Sequence, residues 1–117
     1  MLLCSDIEPM RAFYCDVLAL RLQREVPGRY LELAVGSSVL AIRLRGREYD
    51  GHPRTNAGAA VQIAFRVSPG DVDACAQQLA DCGVSLLEPI RHFPDFGHRA
   101  LFVADPEHNI IEIYAEV

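Results

Sequence analysis

The chain has 117 residues, enough for one domain, and 50% of them are hydrophobic while 23% are charged. Such a composition supports a buried core and excludes a generally disordered chain. With 11 Lys+Arg against 16 Asp+Glu the net charge is −5, so nucleic-acid binding is not expected. No apolar stretch reaches the roughly 20 residues of a membrane span. The N-terminus lacks the pattern of a signal peptide, which predicts a cytoplasmic protein without a membrane partner.

The first half of the sequence predicts one strand, one helix and three further strands. Residues 1–5 form a short apolar strand, and Asp6 and Pro9 are typical of a helix start. Apolar residues then recur at helical spacing from Met10 to Leu18. Strands follow at 20–24, 29–35 and 39–44, and the last two show the period-two alternation of a sheet with two different faces.

The second half repeats this order after a segment, 45–60, whose charges, glycine and proline predict a connecting loop. A strand is predicted at 61–67, then a helix capped by Ser68 and ended by Gly83. Its apolar stripe consists of Val72, Cys75, Leu79 and Cys82. Strands at 84–87, 99–103 and 109–114 complete the half, with a loop at 88–97. His108 occupies a turn position at which glycine is usual, and histidine is among the residues that tolerate it.

The repeated order predicts a duplication inside a single domain that spans residues 1–117. Its modules cover about 1–45 and 61–117. The expected fold class is α+β, with two βαβββ modules that form a half-open, eight-stranded curved sheet with the helices outside. The opposite face of such a sheet would be concave, and a ligand could lie there.

The four cysteines predict neither a zinc site nor a redox pair. Cys4, Cys15, Cys75 and Cys82 form no C-x-x-C motif, and none lies at zinc-site spacing from a histidine. In a reducing cytoplasm they are expected to be free thiols, buried as small apolar residues.

Two segments carry a resemblance to a known family. Residues 6–18, DIEPMRAFYCDVL, resemble the first helix of the vicinal oxygen chelate superfamily, and residues 96–113, FGHRALFVADPEHNIIEI, resemble its C-terminal signature. That superfamily includes glyoxalase I, bleomycin-resistance proteins, fosfomycin-resistance enzymes and extradiol dioxygenases. The resemblance runs over nearly the whole chain and implies the glyoxalase/bleomycin-resistance fold. Its motifs are specific for the fold and uninformative about the activity.

The resemblance also implies a divalent metal. Its usual ligands are a histidine on the first strand, a Glu, Gln or His side chain on later strands, and a glutamate near the C-terminus. Glu112 matches that glutamate, and Gln62 stands where the second-half histidine usually stands. The first-strand histidine would fall before Met1, and Ala41 matches Glu112 across the repeat. One carboxylate and one amide are too few ligands for a divalent ion, so neither a metal nor another cofactor is expected.

Strand alternation directs several polar and aromatic side chains to the concave face. Glu112 either contacts a ligand or pairs with Arg43 or Arg66. Those two arginines either hold an anionic ligand or neutralise Glu32 and Glu112. No Ser/His/Asp or Cys/His catalytic set is present in the pattern. The candidate ligand-binding residues are Tyr30, Arg43, Gln62, Arg66, His98, Glu112 and Tyr114.

These features favour a metal-independent protein that binds a small molecule. The resemblance implies drug sequestration of the bleomycin-resistance type, by a homodimer. One alternative is a metal-dependent glyoxalase-like lyase or isomerase, or a dioxygenase, whose missing ligands come from elsewhere. A further alternative is a catalytically silent interaction domain.

Overall fold

The computed structural model describes residues 1–52 and 61–117, and the chain divides into two compact units, Met1–Asn56 and Ala57–Val117. Each unit builds its own four-stranded mixed sheet from one strand, one helical segment and three more strands. The predicted α+β class and the two βαβββ modules are confirmed. In the described residues, no helix is both long and apolar enough to cross a bilayer.

The first unit contains the sheet order β1-β4-β3-β2, in which β1 runs parallel to β4 and the other pairs are antiparallel. Asp6 caps the helical segment, as predicted, because its carboxylate accepts a hydrogen bond from the Glu8 amide at 3.3 Å. The elements are β1 (Leu2–Cys4), α1 (Ile7–Arg11), a π-helical stretch (Ala12–Val17), β2 (Arg21–Val26), β3 (Tyr30–Val35), β4 (Ser38–Leu44) and a 3₁₀ turn (Glu48–Asp50).

The second unit repeats this topology, with the sheet order β5-β8-β7-β6 and β5 parallel to β8. Helix α2 packs on β7 and β8 and buries Val72 and Leu79 against them. The elements are β5 (Gln62–Arg66), α2 (Asp71–Asp81), β6 (Arg91–Phe93), β7 (His98–Ala104) and β8 (Ile110–Glu116).

The apolar face predicted by alternation is the less exposed face in both sheets, although Leu40, Ile63 and Phe65 are only half-buried. Leu31, Leu33 and Ile42 are at most 1% exposed in the first sheet, and Ile111 is fully buried in the second. The residues between them are half-buried or exposed. Period-two alternation therefore assigned the strand faces correctly, since neighbours along a strand point to opposite sides.

Several predicted boundaries were wrong. Residues 84–87 form no strand, and the fourth strand of the second sheet is β6, inside the predicted loop 88–97. Helix α2 is capped by Gly70, without a side-chain cap, rather than by Ser68. The predicted loop 45–60 contains the 3₁₀ turn Glu48–Asp50, and its residues 53–60 lie outside the described residues.

The cysteines are all free, as predicted, but they are not uniformly buried. Cys4 is buried, Cys15 and Cys75 are half-buried, and Cys82 is exposed. Cys82 lies just beyond the end of α2 at Asp81, so it does not continue the apolar stripe of that helix. Burial raises the pKa of the Cys15 and Cys75 thiols, which disfavours their reactive thiolate form.

Candidate functional site

One face of the second sheet is turned away from helix α2. Arg99 of β7 binds Asp73 of α2 through two hydrogen bonds of 2.9 and 2.8 Å, so Arg99 marks the helix side. Its neighbour His98 points the opposite way, as does Phe102. The register sets Phe102 beside Glu112 and Glu112 beside Ala64. We call the surface that carries these side chains the far face.

A hollow of about 290 Å³ lies on the far face. Most of its wall is aromatic, because β6 and β7 contribute Phe93 and Phe102 with ring centres 6.1 Å apart, edge to face. The lining residues of this far-face hollow are Gln62, Phe93, Phe96, His98, Phe102 and Glu112.

The polar side of the far-face hollow is an amide–carboxylate pair. The Gln62 side-chain amide donates to Oε2 of Glu112 at 3.0 Å. Within residues 1–52 and 61–117, no hydrogen bond to the other oxygen, Oε1, accompanies it. Because a carboxylate accepts several hydrogen bonds, Oε1 is available to a donor group of a ligand.

Two further candidates, His98 and Tyr114, lie together on the same face. Their rings are 4.5 Å apart, centre to centre, with an angle of 32° between the planes. Since His98 also lines the hollow, this contact fixes the orientation of part of its wall. Arg66 lies beside Tyr114 in the register but is bound to Glu116 at 2.8 Å, so its charge is already matched.

The remaining candidates, Tyr30 and Arg43, belong to the first unit, where they lie opposite each other on β3 and β4. The two terminal guanidinium nitrogens of Arg43 donate to Asp50, each at 2.8 Å. Burial, and then a hydrogen bond with Glu32, raise the pKa of the Tyr30 phenol.

One of the two alternatives for the arginines, that they neutralise Glu32 and Glu112, is wrong. Arg43 pairs with Asp50, and Arg66 pairs with Glu116. Glu32 lies nearest to Arg24, at 3.5 Å. The sequence did not indicate Asp50 because that residue lies in a short turn, where no periodicity reports which way a side chain points.

The aromatic wall was also missed by sequence reasoning. Phe102 stands between Leu101 and Val103, so apolar residues occupy both faces of β7 and alternation does not distinguish them. Phe93 and Phe96 fall in the segment that was predicted to be a loop. Pairing the last two predicted strands across their turn would have given the signal, because in that register Phe102 lies directly across from Glu112.

The donor set does not fit a resident divalent metal. Of the residues predicted at metal-ligand positions, the far face brings together Gln62 and Glu112, which supply one amide and one carboxylate. The imidazole of His98 lines the same hollow but lies against the Tyr114 ring. The described part of the chain contains no group of three or more His, Cys, Asp or Glu residues that could hold an ion. Divalent ions in proteins usually take four or more ligands.

The fold, with its paired βαβββ units, and the C-terminal glutamate agree with one family. The model of the Glyoxalase/Bleomycin resistance protein/Dioxygenase superfamily matches residues 1–113. The chain belongs to this superfamily. The resemblance seen in residues 6–18 and 96–113 is thereby confirmed, and proteins of this superfamily bind small molecules.

A relative among curated proteins and two solved structures agree with this assignment. The chain is 32% identical over 121 residues to the uncharacterized protein YwkD of Bacillus subtilis, covering 98% of this chain and 92% of that protein. A glyoxalase/bleomycin resistance protein/dioxygenase from Nocardioides superposes with a TM-score of 0.80 at 24% identity, covering 99% of this chain and 80% of the other. Lactoylglutathione lyase from Agrobacterium tumefaciens superposes with a TM-score of 0.77 at 21% identity, covering 97% and 88%. At these identities the structures show the shared fold.

Proposed function

We propose that this superfamily member binds a small aromatic molecule in the far-face hollow without a resident metal, and sequesters it. The observation that carries the proposal is the composition of that hollow, in which three phenylalanines face the Gln62–Glu112 pair. Apolar walls with a few placed polar groups are typical of small-molecule sites. Aromatic rings would stack on Phe93 and Phe102, and Glu112 would accept a hydrogen bond.

The charge of the site favours a ligand that carries a positive group. Arg66 of the same sheet would oppose such a ligand, but its charge is neutralised by Glu116. The amide of Gln62 keeps Glu112 in place without cancelling its negative charge. A cationic aromatic drug would therefore meet an attractive carboxylate, which supports sequestration of the bleomycin-resistance type.

The name of the Agrobacterium structure raises a second possibility, a metal-dependent lyase. The donor set of the described residues speaks against it, since Gln62 and Glu112 provide too few ligands. A metal-bound lyase of this chain would need further ligands from a second copy, because residues 53–60 contain no His, Cys, Asp or Glu.

For the protein as a whole, we propose one domain that acts as a cytoplasmic homodimer and has no nucleic-acid partner. The acidic net charge of −5 supports the last point, because nucleic-acid affinity depends on clustered Lys and Arg.

Benzamidine, a planar ring with a cationic amidinium, is a suitable probe. We expect it to bind the chelator-treated protein, and Glu112→Gln to weaken its affinity about tenfold because one charge-assisted hydrogen bond is lost. Calorimetric titration measures the dissociation constants. Glu8→Gln is the matched control, since Glu8 is exposed on α1 of the first unit, and it should bind benzamidine as the original chain does.

Two outcomes would contradict the proposal. One is unchanged benzamidine binding by a folded Glu112→Gln variant. The other is about one equivalent of Zn, Ni, Mn or Fe in protein purified without chelator, lost in Glu112→Ala, which would support the lyase instead.

A further inference from the structure

Four arginines surround a second hollow, which belongs to the first unit and measures about 510 Å³. Arg29 comes from the β2–β3 turn, Arg43 from β4, and Arg45 and Arg47 from the segment that follows β4. We call it the arginine hollow. Its remaining lining residues are Val26, Tyr30, Leu44 and Gly46.

Most of the positive charge in the arginine hollow is unmatched. Arg43 has the carboxylate of Asp50 at 2.8 Å. In residues 1–52 and 61–117, no ion pair is formed by Arg29, Arg45 or Arg47. The chain as a whole carries a net charge of −5. Three unpaired cations around one hollow are therefore a local concentration of positive charge on an acidic chain. Their mutual repulsion would be relieved by an anion.

The wall also contains hydrogen-bond donors without acceptors. The Nε atoms of Arg43 and Arg45 are buried, and no part of the described chain accepts a hydrogen bond from them. Buried polar groups are normally paired, and an unpaired one points to a bound water or ion. Because these two Nε atoms are closed off from solvent, a water inside the wall would satisfy them, and an anion in the open hollow would instead contact the exposed guanidinium groups of Arg29 and Arg47.

The backbone that carries these arginines is held in place. The Asp50 carboxylate accepts hydrogen bonds from the amides of Gly46 and Arg47, each at 2.8 Å. The Arg45 guanidinium in turn donates to the Asp50 carbonyl. A segment fixed in this way loses little conformational entropy when a ligand binds.

We propose that the arginine hollow binds an organic phosphate. Guanidinium groups match the geometry of phosphate oxygens, and three unpaired cations suit a dianion better than a singly charged carboxylate. The side chains of Val26 and Tyr30 provide an apolar surface for the organic part of the ligand. The volume lies within the range of about 300–1,000 Å³ found for small-molecule pockets.

The arginine hollow shares no residue with the far-face hollow. Its ligand carries the opposite charge to the one proposed there, so either proposal can fail without the other.

Phenyl phosphate, with benzoate as the carboxylate comparison, tests the proposal on the full ¹⁵N-labelled chain. We expect phenyl phosphate to shift the amide signals of Gly46 and Arg47 in NMR spectra and to bind about tenfold more tightly than benzoate. Its affinity should fall as sodium chloride is added, because the arginines are partly open to solvent.

The variant Arg29→Gln/Arg47→Gln removes two exposed cations without touching the Arg43–Asp50 pair. It should keep the unfolding temperature of the original chain within a few degrees and weaken phenyl phosphate binding at least about tenfold. Arg21→Gln is the matched control, because Arg21 is also exposed and lies at the opposite end of β2 from Val26. It should bind phenyl phosphate as the original chain does.

Three results would overturn the proposal. The first is binding of phenyl phosphate by the folded double variant with unchanged affinity. The second is equal affinity for benzoate and phenyl phosphate. The third is a set of signal shifts that lies outside the arginine hollow.

Discussion

At the scale of single residues, Asp50 is held by several neighbours at once. It is 6% exposed, and its two oxygens accept four hydrogen bonds, two from Arg43 and one each from the amides of Gly46 and Arg47. The bonds from Arg43, and then those from Arg47 and Gly46, hold the pKa of Asp50 well below its usual range. Asp50 thus fixes both the orientation of Arg43 and the course of the segment after β4.

The variant Asp50→Asn should lower the unfolding temperature at pH 7 by about 5 °C or more, because it leaves the charge of Arg43 without a partner. The lowered pKa also predicts a pH dependence. The stabilisation from the carboxylate is fully present above the unfolded-state pKa of about 3.9, and it is lost as the pH falls toward the folded-state pKa. Calorimetry between pH 7 and pH 2.5 should show the difference between the two proteins shrinking below about pH 4.

Asp95→Asn is the control, since Asp95 is exposed and has no ion pair among the described residues. Its unfolding temperature should follow that of the original chain. A gap between Asp50→Asn and the original chain that stays constant down to pH 2.5 would show that the carboxylate does not stabilise the fold through its charge.

The same residues show which features of the site the sequence predicts and which it does not. Alternation placed Gln62 and Glu112 on one strand face, and the structure joins them by a hydrogen bond. It also placed Arg43 and Tyr30 on one sheet face, and the register of the structure sets them opposite each other. The partner of Arg43 could not be predicted, because Asp50 reaches it from an aperiodic turn and the sequence offered Glu32 and Glu112 instead.

At the scale of elements, the end of the first helical segment departs from regular α-helical geometry. The Leu18 amide bonds to the Phe13 carbonyl at 2.9 Å and the Leu20 amide to the Tyr14 carbonyl at 3.0 Å, wider turns than in an α-helix. The chain leaves this segment at Ala19, whose φ is 57°. That left-handed conformation is the one that glycine usually supplies at a helix end.

We expect Ala19→Gly to raise the free energy of unfolding by about 0.5–1 kcal/mol, because glycine adopts a positive φ without the strain of a β-carbon. The variant His108→Gly should act in the same direction, since the φ of His108 is 67°. Urea unfolding at equilibrium gives both values.

Ala12→Gly is the control for this prediction, because Ala12 has a φ of −59° and is exposed. There glycine should lower the free energy of unfolding by about 1 kcal/mol. If glycine destabilises the protein equally at all three positions, the positive φ at Ala19 and His108 carries no strain.

The strands show how much of the fold the sequence determines. β3, β4, β5 and β8 were predicted within two residues at either end, because one apolar face gives them period-two alternation. Residues 84–87 also look apolar, but only a single hydrogen bond, from the Leu87 amide to the Phe102 carbonyl, is recorded between that segment and β7. The true edge strand, Arg91–Phe93, has three residues and two polar side chains, as edge strands often do, and such a strand leaves little periodicity to detect.

At the scale of the whole molecule, the two units repeat one topology. In each sheet two strands lie at an edge, β1 and β2 in the first and β5 and β6 in the second. Large apolar side chains are also exposed, including Val39 at 53% and Phe96 at 73%. Open edges and apolar side chains of this kind are commonly covered by association with another chain.

We therefore expect the purified protein to be a homodimer, with a mass in solution twice the 13.0 kDa of the chain. A second copy would cover exposed apolar surface that is unfavourable in water, and this gain must exceed the entropy lost on association. Light scattering coupled to size-exclusion chromatography measures the mass. A dilution series separates a stable dimer from weak self-association, because the mass of a stable dimer stays constant from high to low micromolar concentration. A mass of 13.0 kDa throughout that range would contradict the prediction. A ligand in the far-face hollow would then contact residues of a single chain.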